Sequence, residues 1–276
     1  MALHERTQER VYVKERCDWL GRFVMLFGVV AVAQSAGAIE VVSHRGANDL
    51  APENTRAAAQ VCVDWGVDYI EVDVRTSKDG VMYILHDSTV DRTTNGQGRL
   101  DKLTSAEIDA LDAGSWFNAK FAGEKLPRLE PFLEWVKGKA KVYFDVKAAD
   151  LPRLVQRVRD LGLERACFFW FKSSGMAKSF RRLAPDLALK INAETPREVE
   201  RAKREFNAQI VECALGSVTP EFKEACRKNG VKIMILEGEN DSDAFRRIIE
   251  SGVEMVNLNH PDVFIRLRDD IKQQAK

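Results

Sequence analysis

From residue 39 onward the chain repeats one figure. A short run rich in β-branched and aromatic residues is followed by a stretch whose apolar positions fall three and four apart. The first pattern suits a strand and the second an amphipathic helix. The runs lie at 40–44, 68–74, 141–146, 166–171, 187–192, 209–213, 231–236 and 254–258. Between them the helix starts carry their own chemistry. Asn54 or Thr55 opens a segment that reaches Trp65 and stops at Gly66, and Asp150 precedes Pro152. Ser173 or Ser174 opens the next, Thr-Pro pairs stand at 195–196 and 219–220, and Asp241 or Ser242 and then Pro261 begin the last two. Side-chain oxygens there accept from the free N–H groups of a first turn, and proline's fixed φ suits a position whose N–H lacks a partner. This alternation, repeated over about 240 residues, predicts an α/β protein of TIM (β/α)8 barrel size. A doubly wound open sheet is the alternative, and the absence of G-x-G-x-x-G after the first run counts against its dinucleotide-binding form.

The alternation breaks once. After the second run, Ser77-Lys78-Asp79-Gly80 makes a tight turn, and the link is too short for a parallel crossover. Residues 81–85 should therefore turn back beside the second strand. Residues 75–128 are read as a small inserted segment over the C-terminal mouth of the barrel, with a short helix at 105–111 and the delayed second helix at 131–138. Strict pairing of that hairpin would carry His86 back towards the base, so its strand is expected to bend across the opening.

Residues 1–38 do not share the pattern. Residues 23–33 read F-V-M-L-F-G-V-V-A-V-A, preceded by Arg16 and Arg22 and followed by Ala36-Gly37-Ala38. An apolar run of that length is short for a bilayer span and suits the core of a signal peptide. Residues 1–38 are expected to direct export, leaving a mature domain at 39–276, periplasmic or secreted, with no stable membrane span. An uncleaved N-terminal anchor is the alternative. The whole chain of 276 residues balances 42 basic against 42 acidic side chains. Near-neutrality gives no electrostatic reason to expect nucleic acid as a partner. Cys62, Cys167, Cys213 and Cys226 are far apart and sit mostly in apolar runs, as small core residues do.

Side chains on a strand alternate between faces, so Glu71 and Asp73 share one face while Ile70, Val72 and Val74 share the other. Two carboxylates on one side of an apolar strand are costly to bury unless something positive lies between them. A solvated edge strand is the plainer alternative. In a barrel, chemistry gathers at the C-terminal ends of the strands. The first strand delivers His44 and Arg45 there, the second Glu71 and Asp73, the third Asp145 and Lys147, and the hairpin His86 with Asp87. Each has an ordinary reading: Arg45 paired with Asp49, Asp145 capping a helix, Lys147 in solvent, His86 in a plain loop. Their joint placement is what those readings explain poorly. Three oxygen ligands without cysteine favour one hard divalent cation, Mg²⁺ or Ca²⁺. Arg45 and Lys147 beside it would hold an anion, guanidinium matching phosphate oxygens in pairs. Two imidazoles could deliver and accept protons at phosphorus.

The stretches H-R-G-A-N-D-L-A-P-E-N-T (44–55), E-V-D-V (71–74) and H-D-S-T-V-D-R-T-T-N-G (86–96) closely resemble the glycerophosphodiester phosphodiesterases. The resemblance implies a TIM barrel with this insertion and hydrolysis of a small-molecule glycerophosphodiester to glycerol 3-phosphate and an alcohol. It matches His44 and His86 to the family's acid/base pair and Glu71 and Asp73 to its metal ligands. The third ligand there is usually glutamate, where this chain has Asp145. The related sphingomyelinase D phospholipases carry aspartate followed by lysine at that place, which makes a lyase forming a cyclic phosphate the alternative chemistry. A barrel that binds phosphodiesters without turnover is the non-catalytic alternative. Glu53 and Asn54 are assigned to helix capping or to support of the site, Asn54 to capping. The loops at 236–240 and 259–262 depart from the family's usual W-T-V-N and D-x-P-D runs and are expected to bear on the alcohol.

Overall fold

The computed structural model describes residues 39–274. The leader expected at 1–38 lies outside the described residues. Among those described, no helix is long and apolar enough to cross a membrane.

The described residues form nine strands and nine α-helices, which alternate except across the inserted segment. The strands are β1 (Glu40–Ser43), β2 (Tyr69–Thr76), β3 (Met82–Ile84), β4 (Lys141–Val146), β5 (Cys167–Trp170), β6 (Ala188–Asn192), β7 (Ile210–Cys213), β8 (Lys232–Glu237) and β9 (Met255–Leu258). The helices are α1 (Arg56–Trp65), α2 (Ser105–Ala110), α3 (Leu129–Val136), α4 (Leu151–Asp160), α5 (Ser174–Leu183), α6 (Pro196–Phe206), α7 (Pro220–Asn229), α8 (Ser242–Ser251) and α9 (Pro261–Gln274). All strands but β3 are parallel, in the order β1-β9-β8-β7-β6-β5-β4-β2. The sheet closes where Val42 and Ser43 of β1 meet Tyr69 and Ile70 of β2. It is a TIM barrel and not an open sheet, with every expected strand in place.

The two-residue period sorts the strands into two cores. Ile70, Val72, Val74, Phe144, Phe169, Val211, Ile235 and Val256 face outward and pack under the helices. Val42, Tyr69, Tyr143, Phe168, Ile210, Met234 and Met255 fill the interior as a smaller cluster. There the Tyr143 and Phe168 rings stack with centroids 4.4 Å apart. The aromatic run of β5 is therefore mostly packing: Phe168, Phe169 and Phe171 are buried, and Trp170 alone of the four is partly open. Glu40 closes the base, taking Lys141 and Lys232 at 2.6 Å each. The four described cysteines are buried thiols.

Helix starts follow their caps. Thr195 and Thr219 accept from Glu198 and Phe222 N–H groups ahead of Pro196 and Pro220. Thr55 caps α1 by accepting from Ala58 N–H, and Gly66 ends it in the left-handed region at φ 69°.

The hairpin departs from strict descent for a geometric reason. One edge of β2 is taken by β4 along Tyr69–Val74, and β1 uses only Tyr69 and Ile70 of the other. β3 occupies the remaining upper part of that edge, pairing Ile84, Tyr83 and Met82 with Val74, Arg75 and Thr76. Leu85 N–H then donates to Asp73 O at 2.9 Å, after which the chain leaves the sheet. His86 is thus held at the level of Asp73 instead of sinking past it. The rest of the insertion has its own small core of Tyr83, Leu85, Val90, Leu100, Ile108, Ala113 and Leu126.

Candidate active site

Because Glu71 and Asp73 alternate with outward-packed valines, their carboxylates point into the barrel, and the register sets Asp145 directly beside Asp73. One oxygen from each of Glu71, Asp73 and Asp145 lies within 4.8 Å of the others, and all three residues are buried. The solvated edge strand is excluded, since Glu71 is 1% and Asp73 0% exposed. Burial, and then the charges of Asp73 and Asp145, push the Glu71 carboxyl well above its ordinary range. Burial and Asp73 push Asp145 in the same direction. Asp145 Oδ1 has no hydrogen-bond partner. Nor does Asp73 Oδ1, although Lys147 Nζ stands 3.0 Å from it without donating along a bonding direction. Buried carboxylate oxygens without partners, among three acids this close, are what a hard divalent ion would satisfy. The donor set fits a metal.

Cations line the same opening. Lys147 bridges Asp145 at 2.5 Å and Asp73 at 3.0 Å, so it is not a solvated stem. Burial works against its charge, but the two aspartates outweigh that and raise its pKa. Arg45 Nε lies 3.7 Å from Asp73 Oδ2, and its NH1 reaches Glu53 at 3.1 Å. It does not pair with Asp49, which holds His260 instead. Arg45 N–H also donates to Glu71 Oε2 at 2.7 Å.

This β1–α1 loop is under backbone strain. Arg45 and Asn54 both adopt positive φ, 58° and 57°, and Asn54 N–H donates to Arg45 O. Such conformations cost of order 1–3 kcal/mol each and persist where surroundings over-determine them. Here the surroundings are the acids. Asn54 does not cap α1, which is Thr55's part; its Nδ2 donates to Asp73 Oδ2 at 2.7 Å and its Oδ1 accepts from Asp73 N–H. The expectation that Asn54 caps the helix is corrected: a left-handed residue cannot serve as an extended N-cap.

Both histidines are held by Nδ1. His44 meets Asn259 Oδ1 at 2.8 Å, and His86 meets Asp87 Oδ1 at 2.8 Å. Burial, with Arg45 adding to it, lowers the His44 pKa against the pull of Asn259. The His86 carbonyl accepts from Arg75 Nε and NH2 at 3.0 and 2.8 Å. Asp87 is drawn down to about 2 by Arg92, with His86 helping.

Three residues escaped the sequence reading. Asn259, in a loop expected to bear on the alcohol, also holds His44. Lys190 and Glu212 form an ion pair at 2.7 Å inside the barrel. Their signal was present: each is a charged residue at an inward-facing position within an otherwise apolar run.

A model of the glycerophosphoryl diester phosphodiesterase family matches residues 44–263. A glycerophosphodiester phosphodiesterase from Caldanaerobacter subterraneus subsp. tengcongensis is 31% identical over 235 residues, covering 82% of this chain and 96% of the relative. The crystal structure of a glycerophosphodiester phosphodiesterase from Agrobacterium tumefaciens superposes with TM-score 0.79 at 41% identity, covering 82% of this chain and 98% of that one. A phosphodiesterase from Oleispira antarctica, solved with the product sn-glycerol-3-phosphate, shares the fold at TM-score 0.73 and 23% identity over 83% and 96% of the two chains. Similarity of this extent, joined to a barrel mouth that gathers three acids and two basic side chains, makes the chain a member of the glycerophosphoryl diester phosphodiesterase family and an enzyme of that class.

Proposed function

We propose that the chain hydrolyses a glycerophosphodiester to glycerol 3-phosphate and an alcohol, with His44 and His86 as the proton carriers. The observation that carries the reading is the buried trio Glu71, Asp73 and Asp145 with Arg45 and Lys147 at its rim. The trio would hold one divalent cation, Mg²⁺ or Ca²⁺. Bound there, it would supply Lewis-acid polarisation of a phosphoryl oxygen. Arg45 and Lys147 bind and orient the phosphodiester and stabilise charge on its oxygens. His44, half-buried, its pKa lowered and its Nδ1 held on an amide, is suited to accept a proton at Nε2 from the attacking water as the bond from phosphorus to the alcohol oxygen breaks. His86, its Nδ1 held by the carboxylate of Asp87, is suited to give a proton from Nε2 to the departing alcohol oxygen. Each such group typically contributes about 10²–10⁴-fold.

The test is release of glycerol 3-phosphate from glycerophosphodiesters of several alcohols, with added Mg²⁺ or Ca²⁺ and with chelator. Wild type should turn over only with metal, and His44→Ala and His86→Ala should each lose about 10²-fold or more. Silence on every glycerophosphodiester with either metal would sink the reading. Asp145 followed by Lys147 supports a second chemistry, attack by a substrate hydroxyl to give a cyclic phosphate. Phosphorus NMR of the product separates the two. Export by residues 1–38 remains part of the proposal, and N-terminal sequencing of protein recovered outside the cytoplasm would test it.

A further inference from the structure

The geometry points to Arg92, in the inserted segment, as a positioning residue that sets the His86 ring and the Arg45 guanidinium together. Its Nε donates to Asp87 Oδ2 at 2.6 Å, while NH1 and NH2 take both oxygens of Glu53 at 2.8 and 2.7 Å. Asp87 turns its other oxygen to His86 Nδ1 at 2.8 Å. Glu53 Oε1 also accepts from Arg45 NH1 at 3.1 Å, and Arg45 Nε faces Asp73. One unbroken run of alternating charge thus joins His86 to Asp73 through Asp87, Arg92, Glu53 and Arg45. It crosses from the insertion to the barrel where Arg92 meets Glu53.

An exposed ion pair is usually worth little, and Arg92 is 44% exposed. Stability is therefore a weak reason for a guanidinium with three donors engaged on two carboxylates. Orientation is a better one. A carboxylate accepting at His86 Nδ1 fixes the proton there and leaves Nε2 free for the substrate. That works only while Asp87 cannot rotate, and Arg92 occupies its second oxygen. Glu53, tied at both oxygens by Arg92, offers Arg45 one fixed acceptor in place of a mobile bidentate partner that would draw the guanidinium off the phosphate. Lysine cannot substitute, because an ammonium is a point charge and cannot span both acids in one plane.

The experiment uses the full chain labelled with ¹⁵N-histidine, which contains only four histidines. Two-bond ¹H–¹⁵N correlations report which ring nitrogen carries the proton, with His86→Gln supplying the assignment. Wild type should show neutral His86 protonated at Nδ1, and Arg92→Gln should show both tautomers. Arg92→Gln should also lower kcat on a glycerophosphodiester by about 10–100-fold. Most of that loss should vanish in the His86→Gln background. Arg92→Lys keeps the charge on the loop and decides the matter by the same readouts if the glutamine variant fails to fold. A folded variant with the wild-type tautomer pattern overturns the proposal, as does a kinetic loss undiminished in the His86→Gln background. The kinetic arm rests on the phosphodiesterase reading and the spectral arm needs no turnover, so the two can fail separately.

Discussion

Two backbone carbonyls, those of His44 and Gly238, accept amide N–H groups from Asn48 Nδ2 and Asn259 Nδ2 at 2.9 Å each. A carbonyl can only accept, so both amides have their orientation imposed. Asn259 Oδ1 must then face Asn48 Nδ2 and His44 Nδ1, at 2.9 and 2.8 Å, and His44 carries its proton on Nδ1. Its Nε2 is left as the acceptor that a base needs. Asn259→Leu should cut kcat about 10–100-fold with the fold intact, as loss of an orienting partner does. Asn259→Asp tests the electrostatics. In wild type the His44 pKa is lowered below the ordinary 6.5, so a base at this position stays competent as pH falls through that value. A carboxylate in place of the amide raises that pKa. The acid limb of the kcat/KM–pH profile should move to higher pH, and a limb that stays put or moves down would remove His44 from the role of base. Sequence reading found His44 but not this support, because residues 44 and 259 are adjacent only through the pairing of β1 with β9.

At the scale of elements, period-two alternation made all eight barrel strands legible. Their burial demands differ on the two faces, and Thr-Pro or Asp-x-Pro punctuation marked the helix starts. The hairpin was legible only in part. That β3 uses the upper edge of β2 follows from how far β1 extends along the lower, a property of neither strand alone. The same limit hid the partnership of Lys190 on β6 with Glu212 on β7. Lys190 Nζ lies 4.7 Å from the Trp170 ring centroid and 5.5 Å from that of Tyr143. Burial lowers the lysine's pKa, and Glu212 opposes that. Removing one member strands a charge in the barrel, which costs about 3–5 kcal/mol, whereas replacing both with apolar groups is often neutral. Lys190→Met should lose about that much in urea unfolding, and Lys190→Met/Glu212→Leu should recover most of it. A double variant no more stable than Lys190→Met would mean that the pair stabilises the barrel outright. Gly46 tests the seat of the site loop on α1. It holds φ 80°, and a Cβ there would sit 2.8 Å from Ala58 Cβ. Gly46→Ala should cost about 1–3 kcal/mol and displace His44 and Arg45, with activity falling before the fold is lost.

For the whole molecule, the acid trio opposes folding. Glu71 is buried among like charges, so its folded pKa lies above the unfolded one, and the folded state holds the proton more tightly. Linkage then runs one way: its contribution is most favourable in acid and is lost as pH rises through the raised value. For stability alone an apolar or neutral residue would serve better there, and a cation bound by the trio would reverse the sign. Glu71→Gln keeps an oxygen for Arg45 N–H and removes the charge. In chelator its Tm should match wild type at low pH and exceed it by about 2–4 °C towards neutral pH, the shift that about 1 kcal/mol gives a domain of this size. Mg²⁺ or Ca²⁺ at about 100 times its Kd should stabilise wild type by about 2.7 kcal/mol. The variant should gain much less, so the two melting curves cross on titration with metal. Curves that never cross, with wild type the more stable even in chelator, would mean that the trio is held together by the fold and not by an ion.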